Sequence, residues 1–163
     1  MPEKVIIAMS GGVDSSVAAY LCCKAGYDCI GVTMKLFTND ALSLPREHSC
    51  CSLDDVEDAR SVAEQLGMPY HVFNFADRFE SCVINRFVHA YENGETPNPC
   101  IDCNRYLKFE KLYQRAQELG CTHVVTGHYA RIERAENGRF LLKKGLDPTK
   151  DQSYVLYCLT QQQ

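Results

Sequence analysis

Apolar positions along this chain follow two periods in alternation. Strand-like apolar runs recur at Val5–Met9, Asp28–Met34, Pro69–Phe75 and Thr122–Thr126. Such runs, bounded by turn residues, read as buried parallel strands. Between them the spacing becomes helical. One helix runs through Ser16–Cys23 and stops at Gly26; a second carries Leu53, Val56, Ala59, Ala63 and Leu66 and stops at Gly67. Ser52 caps the second, with Asp54 and Asp55 in its first turn. A third, from about Asp77 to Tyr91, turns Phe79, Val83, Phe87 and Ala90 inward, and Tyr106–Leu112 also reads as helix. Further on, Ala130–Arg134 and Arg139–Lys143 flank Glu136-Asn137-Gly138, the Asn-Gly turn of a hairpin. An amphipathic segment, Tyr154–Thr160, closes the pattern. Strands alternating with helices predict an α/β fold: a doubly wound, mostly parallel sheet with a small β-hairpin near the C-terminus. Ligands then bind at the carboxyl ends of the strands.

The junction of the first strand and first helix carries chemistry. It reads Ser10-Gly11-Gly12-Val13-Asp14-Ser15-Ser16. Two glycines let the backbone turn sharply and bring its N–H groups close to a ligand. Three hydroxyls add donors, and the helix start adds a positive dipole end, so the turn is built to hold an anion, phosphate above all. It is not a Walker A loop, because no Lys follows the glycines. It resembles the SGGxDS loop of the ATP pyrophosphatases (PP-loop enzymes), which cleave ATP between its α- and β-phosphates and adenylate a carbonyl oxygen. The resemblance implies that ATP sits on Ala8, Met9, Ser10, Gly11, Gly12, Val13, Asp14 and Ser15. Asp14 is then placed to hold Mg²⁺ or to orient the loop.

Length and charge narrow the picture. The chain has 163 residues, enough for one domain with a core. No run is long enough to span a membrane, and no secretory leader precedes the first strand, so a cytoplasmic protein is expected. Ten cysteines would suggest a disulfide framework in a small secreted chain. Here Cys22, Cys23, Cys29 and Cys82 sit inside helix or strand patterns, where a thiol packs as a small hydrophobe. The net charge of −4 argues against a large polyanion-binding surface. Nucleic-acid contacts would come from local patches, such as Arg105, Lys108, Lys111 and Arg115 or Lys143, Lys144 and Lys150, or from protein beyond this chain. His48, Cys50 and Cys51 lack zinc-ligand spacing and read as a loop over the nucleotide. His71 reads as an edge residue, and His128 as a structural or phosphate-side hydrogen-bonding group rather than a base.

A second informative stretch is Gly94-Glu95-Thr96-Pro97-Asn98-Pro99-Cys100-Ile101-Asp102-Cys103-Asn104. Its prolines exclude helix until Cys103, which places Cys103 near a helix start, where the dipole favours a thiolate. Cys100 and Cys103 form a CxxC pair.

Four stretches carry a closer resemblance: Thr96–Pro99 with Cys103-Asn104 and Lys108-Phe109, Cys51–Val56, Thr126–Arg131, and Lys150–Tyr154. They resemble the bacterial tRNA-specific 2-thiouridylase (MnmA) family, in the family's order and over nearly the whole chain. The resemblance implies that Cys103 is the first catalytic cysteine and that Asn98, Pro99 and Cys100 lie beside the target uridine. It implies Met34 and Gly127 in the adenine pocket, and Lys150, Asp151 and Gln152 against tRNA. The family often has Asp where this chain has Cys100, which leaves that acid without a carrier unless Asp102 substitutes. Residues 1–163 then form the N-terminal PP-loop catalytic domain, with the family's central and C-terminal β-barrel domains, and a second catalytic cysteine, outside this sequence. The implied reaction is ATP-dependent 2-thiolation of uridine at the tRNA wobble position. It requires Mg²⁺, a sulfur-donor protein (a cysteine desulfurase or relay), and a persulfide resolved by disulfide formation. An alternative sulfur route has Cys100, Cys103 and a later cysteine ligating an iron–sulfur cluster that delivers sulfide. Two other classes share the loop: an ATP-dependent ligase or amidotransferase, which has no use for Cys103, and a non-catalytic ATP-binding or redox-sensing domain.

Overall fold

A computed structural model of the chain describes residues 2–37 and 53–163. The expected cap Ser52 and the group His48, Cys50 and Cys51 lie outside the described residues. Strand β1 (Lys4–Ala8) passes through the glycine-rich turn into α1 (Val13–Lys24), then β2 (Asp28–Lys35). Helix α2 (Leu53–Gln65) leads to β3 (Tyr70–Asn74). The chain then crosses to the other face of the sheet. There α3 (Ala76–Phe79) continues through a π-helical stretch, Glu80–Ile84, into α4 (Asn85–Glu92). A second helical run joins α5 (Pro99–Asp102), a longer π-helical stretch, Cys103–Lys111, and α6 (Leu112–Glu118), which returns to β4 (His123–Val125). An antiparallel hairpin follows, β5 (Ala130–Arg134) with β6 (Phe140–Lys144).

The sheet is parallel, in the order β3-β2-β1-β4. Because successive strands first step away from β1 and then return to its other side, the switch point lies between β1 and β4. This is the expected doubly wound α/β sheet with its small hairpin. Strand side chains alternate between faces, and the packing obeys that rule. Val5, Ile7 and Met9 pack with Ala19 of α1 and with Ala59 and Ala63 of α2. Ile6 faces the other way, joining Ile30, Val32 and Met34 against Val83, Leu107, Leu112 and Ala116. Ile6 and Ile7 are fully buried, and burying a side chain of that size stabilises a fold by about 1.5–3 kcal/mol. On the α2 side Thr33 Oγ1 donates to the Met9 carbonyl at 2.8 Å and accepts the Tyr70 hydroxyl at 2.6 Å, which ties three strands together.

Two expected details differ. In the third helical segment Val83 is buried and Phe79 packs on the core, whereas Phe87 and Ala90 are only half-buried. Phe87 instead meets Tyr91 edge-on at 4.9 Å. Tyr154–Thr160 does not form a regular element. A single 3-10 turn, Ser153–Val155, sets Val155 and Leu156 against Phe109. Leu159 packs on the same cluster from beyond the turn.

Candidate functional site

The glycine-rich turn leaves β1 at the switch point. Gly11 has φ +79°, and a Cβ there would stand 2.6 Å from the Asp55 carbonyl oxygen at the start of α2. Gly12 caps α1 with extended backbone, and among the described residues only Ser10 Oγ lies within van der Waals range of a Cβ there, at 3.6 Å. Glycine at position 11 therefore serves the fold, while position 12 is open on the side where a ligand would approach. Ser15 is buried: its hydroxyl donates to the Gly12 carbonyl at 2.9 Å and accepts from the Ser10 N–H at 3.2 Å. Ser16 donates to the same carbonyl at 2.9 Å. These hydroxyls brace the turn. Donors for an anion come from the backbone N–H groups that open α1, which have no partner one turn earlier in the helix. A groove of about 460 Å³ shares Gly11 and Val13 with the loop and runs between α1 and α2 to Asp58 and Val62.

The carboxyl end of β4 closes the other side. A Cβ on Gly127 would lie 2.8 Å from the Asp14 carbonyl carbon and the Ser15 nitrogen, so only glycine lets this turn touch the first turn of α1. His128 is half-buried, its Nδ1 hydrogen-bonded with Thr126 Oγ1 at 2.8 Å. Burial, with Lys108 adding to it, pushes its pKa down to about 4. The imidazole is neutral at pH 7, in keeping with a hydrogen-bonding role. The Tyr129 hydroxyl donates to Asp14 Oδ1 at 2.5 Å. That bond, lost if the phenol ionises, holds Tyr129 above its usual pKa. Met34 lies at the carboxyl end of β2 with its side chain in the core.

Residues 150–152 come to the same place. Gln152 accepts the Tyr129 N–H at 3.0 Å and gives its own N–H to the Tyr129 carbonyl at 2.9 Å. Lys150 Nζ stands 5.5 Å from the centre of the Tyr129 ring. Asp151 is turned inward: it accepts the Gly145 and Ser153 N–H groups and the Ser153 hydroxyl. The first of these bonds is the main cause of a pKa below the usual carboxylate range. Asp151 thus holds its own loop in shape.

The cysteine segment departs from expectation. Helix begins at Pro99, capped by Asn98, whose side chain accepts the Cys100 N–H at 3.0 Å. Proline is favoured at a first helical position because it has no N–H to leave unpaired there. Cys100 therefore occupies the first turn and is exposed, whereas Cys103 lies a turn further in, half-buried against the cluster that contains Met34 and Leu36. Asp102 is held by Arg86 Nε at 3.1 Å, so it is not a free stand-in acid. Asn104 is buried: its Nδ2 donates to the Cys100 carbonyl at 2.8 Å, and its Oδ1 has no partner among the described residues. His71 lies exposed on edge strand β3, as expected.

Tyr129 and Asn104 are the groups that sequence reading passed over. Asn104 carried a faint signal as a polar residue on the apolar face of a helix. Tyr129 carried none, since its partner Asp14 lies 115 positions away.

A glycine-rich turn at the switch point of a four-stranded parallel sheet, opening a helix, defines a PP-loop type of α/β nucleotide fold. A solved glutamine-dependent NAD⁺ synthetase from Acinetobacter baumannii shares this fold with a TM-score of 0.52, at 17% identity over 75% of this chain and 21% of that one. Residues 3–163 match the tRNA methyl transferase HUP domain family, and the chain belongs to it. The tRNA-specific 2-thiouridylase MnmA of Clostridium acetobutylicum is 55% identical over 163 residues, covering 100% of this chain and 46% of that protein. Its counterpart in Geobacter metallireducens is 51% identical over 164 residues, covering 99% and 45%. The chain spans a little under half the length of these relatives.

Proposed function

We propose that residues 1–163 are the ATP-binding, N-terminal catalytic domain of a tRNA-specific 2-thiouridylase. Identity of 55% over the whole chain to such an enzyme carries this reading, and the loop at the switch point supplies its chemistry. In this reading ATP lies on residues 8–15 and between Met34 and Gly127. The uridine C2 oxygen attacks the α-phosphate and pyrophosphate leaves, which turns a poor leaving group into a good one. A persulfide sulfur then forms the new bond to C2 as AMP departs. A second cysteine thiolate then attacks the sulfur of the carrier cysteine. The S–S bond to the C2-bound sulfur breaks, the 2-thio group leaves with that electron pair, and the two cysteines are left as a disulfide. Cys103 is one of the two sulfurs, and the second comes from beyond this chain. In this reading Asn98, Pro99 and the exposed Cys100, at their capped helix start, would meet the base, with Lys150, Asp151 and Gln152 toward the RNA.

Magnesium sites commonly combine one or two carboxylates with substrate phosphates, and Asp14 at the loop fits that pattern. The ion would offset phosphate charge there. In the second sulfur route Cys100 and Cys103 would supply two thiolates to an iron–sulfur cluster, with a later cysteine from beyond this chain as a further ligand. Among the described residues no helix is long and apolar enough to cross a membrane.

Pyrophosphate release from ATP tests the proposal, measured on the full-length protein that carries this domain, with and without unmodified tRNA and a persulfide donor. Release that depends on tRNA, with 2-thiouridine recovered by mass spectrometry, is the expected result. Release independent of tRNA would favour a ligase, and ATP binding without release a nucleotide-sensing domain.

A further inference from the structure

Tyr129 has no part in the chemistry above, yet it touches three pieces of the site. Its hydroxyl holds Asp14 Oδ1, its main chain pairs both ways with Gln152, and its ring lies beneath Lys150 Nζ. Gly127, two residues earlier, packs directly on the backbone of Asp14 and Ser15. The 127–129 turn is therefore fixed to the first turn of α1 at two points, one steric and one a hydrogen bond. A carboxylate rotates freely about its last torsion, which is broad and roughly two-fold. A short hydrogen bond to one oxygen removes that freedom and fixes the direction of the other oxygen. Groups in this relation to a metal-binding carboxylate orient it, and losing one typically costs about 10–100-fold in metal affinity or activity.

We propose that Tyr129 is a positioning residue for Asp14, aiming its carboxylate at the cation that accompanies the phosphates of ATP. The proposal rests on the reading of residues 8–15 as an ATP loop. The same residue ties in the segment 150–152, its main chain to Gln152 and its ring against Lys150.

The test is calorimetric titration of the protein with ATP, once in excess Mg²⁺ and once in EDTA, for wild type, Tyr129→Phe, Asp14→Asn and the double variant. Phenylalanine keeps the ring and removes only the hydroxyl. Tyr129→Phe is expected to weaken binding about tenfold in Mg²⁺ and less than about twofold in EDTA, and the double variant to be no weaker than Asp14→Asn, as for two residues acting through one contact. Equal weakening in both media, together with a lower melting temperature, marks a merely structural tie and overturns the proposal. So does unchanged affinity in Mg²⁺. If wild type binds no ATP in either medium, the ATP-loop reading itself fails and the Tyr129 proposal falls with it. That outcome differs from the other two, in which wild type still binds.

Discussion

Gly11 and Gly12 stand side by side in the loop and answer to different demands. At position 11 the backbone is left-handed and a Cβ would strike the Asp55 carbonyl at 2.6 Å. Gly11→Ala is expected to destabilise the fold by roughly 1–3 kcal/mol, the range for a non-glycine residue forced into that region, and thermal unfolding reads it. At position 12 no such contact exists. Gly12→Val should leave the melting temperature within a few degrees and sharply weaken ATP binding, because its methyls occupy the space of an approaching phosphate. Intact calorimetric affinity in a folded Gly12→Val would remove the loop from the site. His128 makes a second residue-scale prediction. Its pKa in the folded chain is about 4, below the ordinary ~6.5 of the unfolded one. As pH falls through that window the unfolded chain takes the proton first, so stability declines from about pH 6.5 down to about 4. Between pH 7 and pH 5 the loss from this group amounts to about 2 kcal/mol at most. His128→Gln should lose less urea resistance over that interval than wild type. Glu133, Asp147 and Asp151, whose carboxylates are held below their usual range, decline in parallel in both proteins. Equal pH dependence in the two proteins would deny the buried neutral imidazole.

At the scale of elements, the start of the cysteine helix decides which thiol is presented. With Pro99 as its first residue, Cys100 lies exposed in the first turn and Cys103 faces the core one turn later. Among the described thiols, Cys100 is expected to react first with iodoacetamide at neutral pH, and Cys103 more slowly. Cys29, pushed up to about 12 chiefly by burial, and Cys121, raised by the same cause, should wait for unfolding. Peptide mass spectrometry over a time course checks the order. Modification of Cys103 ahead of Cys100 would return the helix start to Cys103. The helix boundary marks where the sequence ran out as a guide. Proline is as natural at a first helical position as it is forbidden inside one, and the Asn98 cap that chooses between these is visible only once the chain is folded. The strands behaved differently. Val5–Met9 alternates between two cores because period-two geometry allows nothing else, so the sheet and the position of its loop were legible from hydrophobic pattern alone. Cys100, Cys103 and the loop glycines were likewise legible as candidates, though the sequence did not say which cysteine lies exposed. The bond between Tyr129 and Asp14 was not, since it joins two elements on opposite sides of the switch point and neither segment encodes it alone.

Across the whole molecule, charge decides how much of the RNA problem this domain can handle. The net charge is −4, and several of the arginines and one lysine are paired with acids. Arg86 holds Asp102, Arg78 holds Glu110, Arg115 holds Glu118, and Arg131 and Lys143 share Glu133. Exposed pairs of this kind add little stability, a median of about 0–1 kcal/mol. They do spend cations that could otherwise displace counterions from a phosphate backbone. Arg115 also covers the Phe73 ring, and Arg105 the Tyr106 ring, which turns two members of the basic helix face toward packing. Lys150, set against Tyr129 beside the loop, is the cation best placed to serve a nucleic acid there. Association with tRNA should therefore be weak, and its logarithm should fall with log salt at a slope no steeper than about −2, corresponding to two or three phosphate contacts. Fluorescence anisotropy of labelled tRNA across a salt series measures that slope. Tight binding with a slope of about −5 or steeper would mean that these paired arginines open onto the RNA, and that any RNA-binding face lies on this chain.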